Sequence, residues 1–260
     1  MDVGLYVFGL HFLLGPIGPG QPYASSYSPI LVLISYGFAS FGSYVGLVIS
    51  QQIAAAKGAL AQAAWVAAGA VAMGGGVWSM HFIGMLAYSL PVEIGYDLPL
   101  TLLSITPSVG ASAIALIILS RRRIGALELT MGGVLTGAGI GAMHFLGMAA
   151  VRGETSMGYD PLLFGVSIVV AVLLACLALS VKFRLELLKS RLATEWSNAI
   201  GGALMGLAIA GMHYTAMAAA TFYPGSLCAI PGYIIRSDLL AALVNVFTFL
   251  IITLVLMVAI

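Results

Sequence analysis

The chain has 260 residues, of which 61% are hydrophobic and only 7% charged, with a formal net charge of +1. That composition lies far from the soluble average and excludes a basic nucleic-acid-binding surface, so the chain reads as a polytopic membrane protein. Cys176, in an apolar run, and Cys228, in a loop, form no paired framework, and no structural disulfide is expected.

Residues 1–28 hold an apolar patch with no Lys or Arg ahead of it and no evident cleavage site, which speaks against a cleaved signal peptide. Gly15, Pro16, Gly18, Pro19 and Gly20 break this stretch, so it reads as an extracytoplasmic interfacial or capping segment rather than a span. A bilayer core needs about 20 apolar residues per helix. Runs of that kind occur at 29–50, 60–89, 99–120, 129–151, 162–182, 198–222 and 238–260. The expected fold is therefore all-α, a bundle of seven transmembrane helices. Pro29, Pro91, Pro99, Pro161, Pro224 and Pro231 fall at or near the breaks, and Tyr27, Tyr88, Tyr96, Tyr159 and Tyr223 suit an aromatic belt at the membrane interface.

Lys57, Arg121, Arg122, Arg123, Lys182, Arg184, Lys189 and Arg191 collect on one side of this topology, against Arg152 and Arg236 on the other. Cytoplasmic loops attract Lys and Arg, so the N-terminus is expected outside and the C-terminus inside. The chain stops at Ile260 directly after the seventh helix. That suggests a membrane domain, residues 29–260, cut from a longer protein whose soluble output domain lies elsewhere.

The spans repeat. Tyr27-Ser28-Pro29, Tyr96-Asp97-Leu98-Pro99 and Tyr159-Asp160-Pro161 open helices one, three and five, and each of these helices carries a small-residue patch, at 43–47, 112–116 and 175–179. Each is followed by a glycine-rich helix that ends in MHFIGM (80–85), MHFLGM (143–148) or MHYTAM (212–217). The bundle is thus three helical hairpins plus a seventh helix. Small residues permit close backbone approach in lipid, which places helices two, four and six toward the centre, with their histidines converging at one depth in the outer half.

The second motif methionine follows each histidine by four residues, so His81 and Met85, His144 and Met148, and His213 and Met217 share a helix face. Met80, Met143 and Met212 point about 100° away and read as outer partners, packing residues or ligands of another site. Burial disfavours imidazolium and leaves a neutral nitrogen able to bind a metal. Imidazole and thioether donors without a carboxylate at that depth point to copper, above all Cu(I). Glu93, Asp97, Glu154 and Asp160 lie in the outer loops and share no face with the histidines. His11 has no methionine four residues on and is either incidental or a cap. A lone membrane histidine often serves packing alone; three copies at one depth favour a site.

The three motif copies resemble the MHYT family of bacterial integral membrane sensor domains, a likeness that runs from about Tyr27 to Ile260. The third copy spells the name; the first two read MHFI and MHFL. The resemblance implies copper held by His81, Met85, His144, Met148, His213 and Met217, with Met80, Met143 and Met212 as the remaining motif methionines. It also implies a bacterial inner-membrane sensor of oxygen, carbon monoxide or nitric oxide at the head of cyclic-di-GMP enzymes.

On this reading the domain is a sensory input and not itself an enzyme, since no general acid or base stands beside the histidines. Its partners are membrane lipid, a diatomic gas and a fused cytoplasmic signalling domain, with a homodimer left open and nucleic acid excluded. A copper transporter or channel, or a copper-level sensor, is the rival; a path onward would have to use Met73, Met131, Met205, Asn198 and Asn245. Haem through His/Met or His/His ligation is also conceivable, whereas the seventh helix offers no lysine for a retinal Schiff base.

Overall fold

A computed structural model describes residues 4–7, 10–13, 21–121, 124–186, 191–225 and 234–259. Arg122, Arg123, Lys189, Cys228, Pro231 and the glycine and proline run at 15–20 lie outside the described residues. Among the described residues, seven helices are long and apolar enough to cross a membrane: α1 (Pro29–Ala55), α2 (Ala59–Ala87), α3 (Leu98–Leu119), α4 (Ala126–Ala149), α5 (Pro161–Glu186), α6 (Arg191–Ala219) and α7 (Ser237–Ala259). The protein is a multi-pass membrane protein.

Local chemistry explains where the odd-numbered helices start. Pro29 and Pro161 begin α1 and α5, at positions whose N–H would have no helical partner. The Asp97 carboxylate caps α3 by accepting from the Leu100 N–H at 3.0 Å, and Asp160 caps α5 by accepting from the Leu163 N–H at 2.8 Å. A repeated hydrogen bond then closes each hairpin. Ser28 N–H donates to the Ala87 carbonyl (2.9 Å), Asp97 to Ala150 (2.8 Å) and Asp160 to Ala219 (2.9 Å). The three hairpins expected from the sequence are thus closed in the same way.

The first six helices pack in a closed ring, each against its sequence neighbours, with α6 returning to α1; α7 lies outside this ring, chiefly against α2. Close backbone contact holds α1 to α2, where a Cβ added at Gly42 would come within 2.9 Å of the Gly76 Cα.

Short strands, absent from the expectation, gather where α2, α4 and α6 end. One sheet runs β1 (Gly4–Val7), β2 (Leu10–Leu13), β7 (Thr155–Tyr159) and β8 (Ala220–Pro224); β3 (Ser26–Tyr27) pairs with β4 (Tyr88–Ser89); β6 (Val151–Gly153), β5 (Ile94–Asp97) and β9 (Ile234–Arg236) form a third. Their pairings join distant segments, as in Phe12 opposite Tyr159, which local periodicity cannot reveal. Because β4, β6 and β8 take over the tips of the expected spans, the even helices stop at Ala87, Ala149 and Ala219.

The aromatic belt is corrected. Tyr88, Tyr96 and Tyr159 are buried, while Tyr27 remains 41% exposed. Tyr96 and Tyr159 stand at strand positions that turn inward, and burial raises both phenols above their ordinary range. Lys57, Arg121 and Arg184 lie toward the end opposite the strands, Arg152 and Arg236 at the strand end.

Candidate metal centre

His81, His144 and His213 stand six, five and six residues before the ends of α2, α4 and α6, roughly 8–9 Å at helical rise. They are completely buried and meet at the centre of the ring. The His213 Nδ1 lies 3.2 Å from the His81 Nδ1 and 3.2 Å from the His144 Nδ1. Ring centroids are 5.0–5.2 Å apart at steep mutual angles, so the imidazoles form a pinwheel.

Hydrogen bonding alone does not satisfy this arrangement. A neutral imidazole offers one N–H and one lone pair, on opposite nitrogens. If the His213 Nδ1 accepts a hydrogen bond from one neighbour, its single lone pair is used; if it donates instead, its single N–H has two neighbours to serve. The three Nε2 atoms, moreover, are buried without a hydrogen-bond partner. A cation bound by all three Nδ1 lone pairs would remove the competition between the Nδ1 atoms, with each Nε2 then carrying its ring's N–H. Tetrahedral nitrogen ligands at about 2.0 Å from a metal are about 3.3 Å apart, close to the two 3.2 Å separations at His213. The three histidines form a group able to hold a metal ion, and among the described residues no carboxylate belongs to it.

Met85, Met148 and Met217, together with Met80, Met143 and Met212, are buried and belong to one apolar core cluster. Asp97 and Asp160 are engaged as helix caps, and Asp97 also approaches Arg152 at 3.7 Å. His11 sits in β2 opposite Tyr6 and is not part of the histidine group. A cavity of about 360 Å³ at the strand end is lined by Met85, Tyr88, Glu93, Arg236 and Asp238.

Two sets of residues complete the walls. Each histidine packs edge-to-face on the aromatic that follows it, Phe82, Phe145 or Tyr214. Each of those meets a tyrosine from the next hairpin around the ring: Phe82 with Tyr96, Phe145 with Tyr159 and Tyr214 with Tyr27. The Tyr214 hydroxyl also lies 2.8 Å from the Ser35 hydroxyl of α1. The second set is glycine: the His213 ring lies against Gly84 of α2, and the His81 ring against Gly147 of α4. The signal for both was present in the motif, as a recurring aromatic one residue after the histidine and a glycine three after it in two copies. On the far side of α2, the Ser79 hydroxyl donates to the Thr248 hydroxyl of α7 at 2.6 Å.

Seven apolar helices, six of them ringed around a buried histidine cluster and built from a threefold repeat, define a multi-pass membrane domain. Segments 74–132, 137–195 and 206–258 match the MHYT family, described as a bacterial signalling protein N-terminal repeat, and the chain belongs to that family. It is 44% identical over 236 residues to the bifunctional diguanylate cyclase/cyclic di-GMP phosphodiesterase MucR of Pseudomonas aeruginosa, covering 91% of this chain and 34% of that protein. Signaling protein YkoW of Bacillus subtilis is 34% identical over 206 residues, 77% of this chain and 26% of its own length. The cyclic di-GMP phosphodiesterase NbdA of P. aeruginosa is 34% identical over 196 residues, 75% of this chain and 24% of its own length. The chain therefore spans 24–34% of the length of these relatives. No solved structure matches it.

Proposed function

We propose that this chain is the sensory input domain of a longer signalling protein of the bacterial inner membrane, with copper held by His81, His144 and His213 near the outer face. The observation that carries this reading is the convergence of the buried His81 and His144 Nδ1 atoms on that of His213, each at 3.2 Å. Met85, Met148 and Met217 add soft donors one helical turn from the histidines, with Met80, Met143 and Met212 as outer partners. Imidazole and thioether without carboxylate favour copper over hard cations. When bound, copper supplies interchange between Cu(I) and Cu(II) and an affinity for diatomic gases such as oxygen, carbon monoxide or nitric oxide.

The protein's own residues do the rest. Closed helix packing excludes water from the histidines. His81 sits on α2, and a shift of that helix reaches α7 through the Ser79–Thr248 hydrogen bond. A signal favours one helix arrangement only by its differential affinity for the two. With the strand end outside, in line with the distribution of Lys and Arg, α7 runs inward to a cytoplasmic output of the cyclic-di-GMP type seen in the relatives' names. Of the residues that a transport path would need, Met73, Met205 and Asn198 are buried, whereas Met131 is 55% exposed on the outer wall of the bundle and falls off any such path.

The test is elemental analysis of the purified domain beside a His81→Ala/His144→Ala/His213→Ala variant. Copper near one equivalent in the former and none in the latter is expected. Equal copper in both would remove the ligand assignment, and an absorption spectrum separates copper from haem.

A further inference from the structure

The orientation of the imidazoles needs a cause of its own. Each ring has two nitrogens, and nothing in a buried apolar site dictates which one faces the centre. Here the Nδ1 atoms of His81 and His144 meet that of His213, while the Nε2 atoms face the helices around them. Two of those outward faces are glycines on the neighbouring motif helix. A Cβ added at Gly84 would overlap the His213 Nε2 and come within 2.9 Å of its Cδ2. One added at Gly147 would overlap the His81 Nε2 and come within 2.7 Å of its Cδ2. Both rings are completely buried, and both Nε2 atoms lack a hydrogen-bond partner. The glycines therefore do more than bring helices together: each leaves a notch of the depth of one methyl group, filled by an imidazole edge.

We propose that Gly84 and Gly147 are positioning residues that seat the His213 and His81 rings with Nε2 outward, so that a metal is taken through the Nδ1 set. The inference rests on the metal-centre reading for its second half, whereas the notch itself is a property of the metal-free protein. The third repeat carries Ala216 at the equivalent position, so the site is only approximately threefold. A methyl group at either glycine forces the ring inward or sideways, and interiors packed at crystal density have no slack to absorb it.

Two measurements test this separately. In metal-free protein, thermal unfolding of Gly84→Ala, His213→Ala and the double variant forms a mutant cycle. Gly84→Ala is expected to lower Tm in the His213 background and to have little effect once His213→Ala has emptied the notch. The same cycle applies to Gly147 with His81. Equal losses in both backgrounds would overturn the notch. Gly75→Ala, where a Cβ meets the Thr248 Cγ2 at an ordinary 3.6 Å, is the control that should leave Tm nearly unchanged.

The second measurement uses copper alone. Protein carrying histidine labelled with ¹⁵N at Nδ1 or at Nε2 is loaded with Cu(I). The metal-induced shift is expected at Nδ1 in the unsubstituted protein, and Gly84→Ala and Gly147→Ala are expected to lose affinity by about tenfold or more, as loss of an orienting partner does elsewhere. A shift at Nε2, or unchanged affinity in both variants, would overturn the positioning role. Failure of the unsubstituted protein to bind copper would instead count against the metal reading and leave the metal-free cycle to decide the notch.

Discussion

Helices α1 and α7 are the two elements that the threefold repeat does not account for in the same way. The matched family segments each run from a motif helix into the helix that follows, so the third, 206–258, takes in α6 and α7. By that phase α7 is the counterpart of α3 and α5 and belongs beside α6. In the structure α1 occupies that place and closes the ring, while α7 lies outside against α2. The difference follows from side chains. Helix α1 opens, as α3 and α5 do, on a tyrosine, a polar residue and a proline, shares their small-residue patch, and its Gly42 meets Gly76 backbone to backbone. Helix α7 opens with Ser237 and Asp238 and presents Leu243, Phe247, Leu250 and Leu254 outward. One helix packs against protein on both sides of the ring, and the other leaves most of its apolar surface to lipid.

That contrast can be broken in four ways. The largest effect is expected from His213→Ala, which removes the nitrogen common to both close contacts. Copper affinity should fall by more than the ~100-fold that loss of an outer partner can cost, whereas Leu250→Ala on the lipid-facing side of α7 should leave it unchanged in a competition titration. Next is the same small insertion at the two junctions of α2. Gly42→Ala drives a Cβ against backbone at the α1 contact and should destabilise by about 1–3 kcal/mol, while Gly75→Ala at the α7 contact has room. Equal losses in denaturant melts would show that α7 is as much part of the ring as α1.

Smaller effects probe the single links. Thr248→Val removes the hydrogen bond from Ser79 and should cost about 1 kcal/mol. Copper content should be retained, but the response of a fused output domain to the metal state should weaken; an unweakened response would place the coupling elsewhere. Tyr214→Phe, which separates α6 from Ser35 of α1, should cost about 0.5–1.5 kcal/mol and shift Tm slightly without altering metal content.

Much of the site was legible because the repeat wrote it three times. The spacing of His81, His144 and His213 from their helix ends placed them at one depth, and the glycine content of their helices placed them inward. What failed to show was direction. Gly84 and Gly147 recur three residues after a motif histidine, but a ring lodged in another helix leaves no mark in the sequence that says which imidazole each glycine receives. Tyr96 and Tyr159 read as interface residues for a similar reason: an amphipathic ring at a helix boundary suits the membrane surface equally well, and only strand pairing turns it inward.

The sequence by itself determined the seven spans, the three hairpins and the common depth of the histidines, because bilayer thickness and helical rise convert residue counts directly into positions. Tertiary structure alone decided that α1 rather than α7 closes the ring, that Nδ1 rather than Nε2 faces the centre, and that short strands cap the end near the site. Each of those outcomes depends on contacts between residues far apart in the chain, where the fit of one surface to another, and not local pattern, sets the lower free energy.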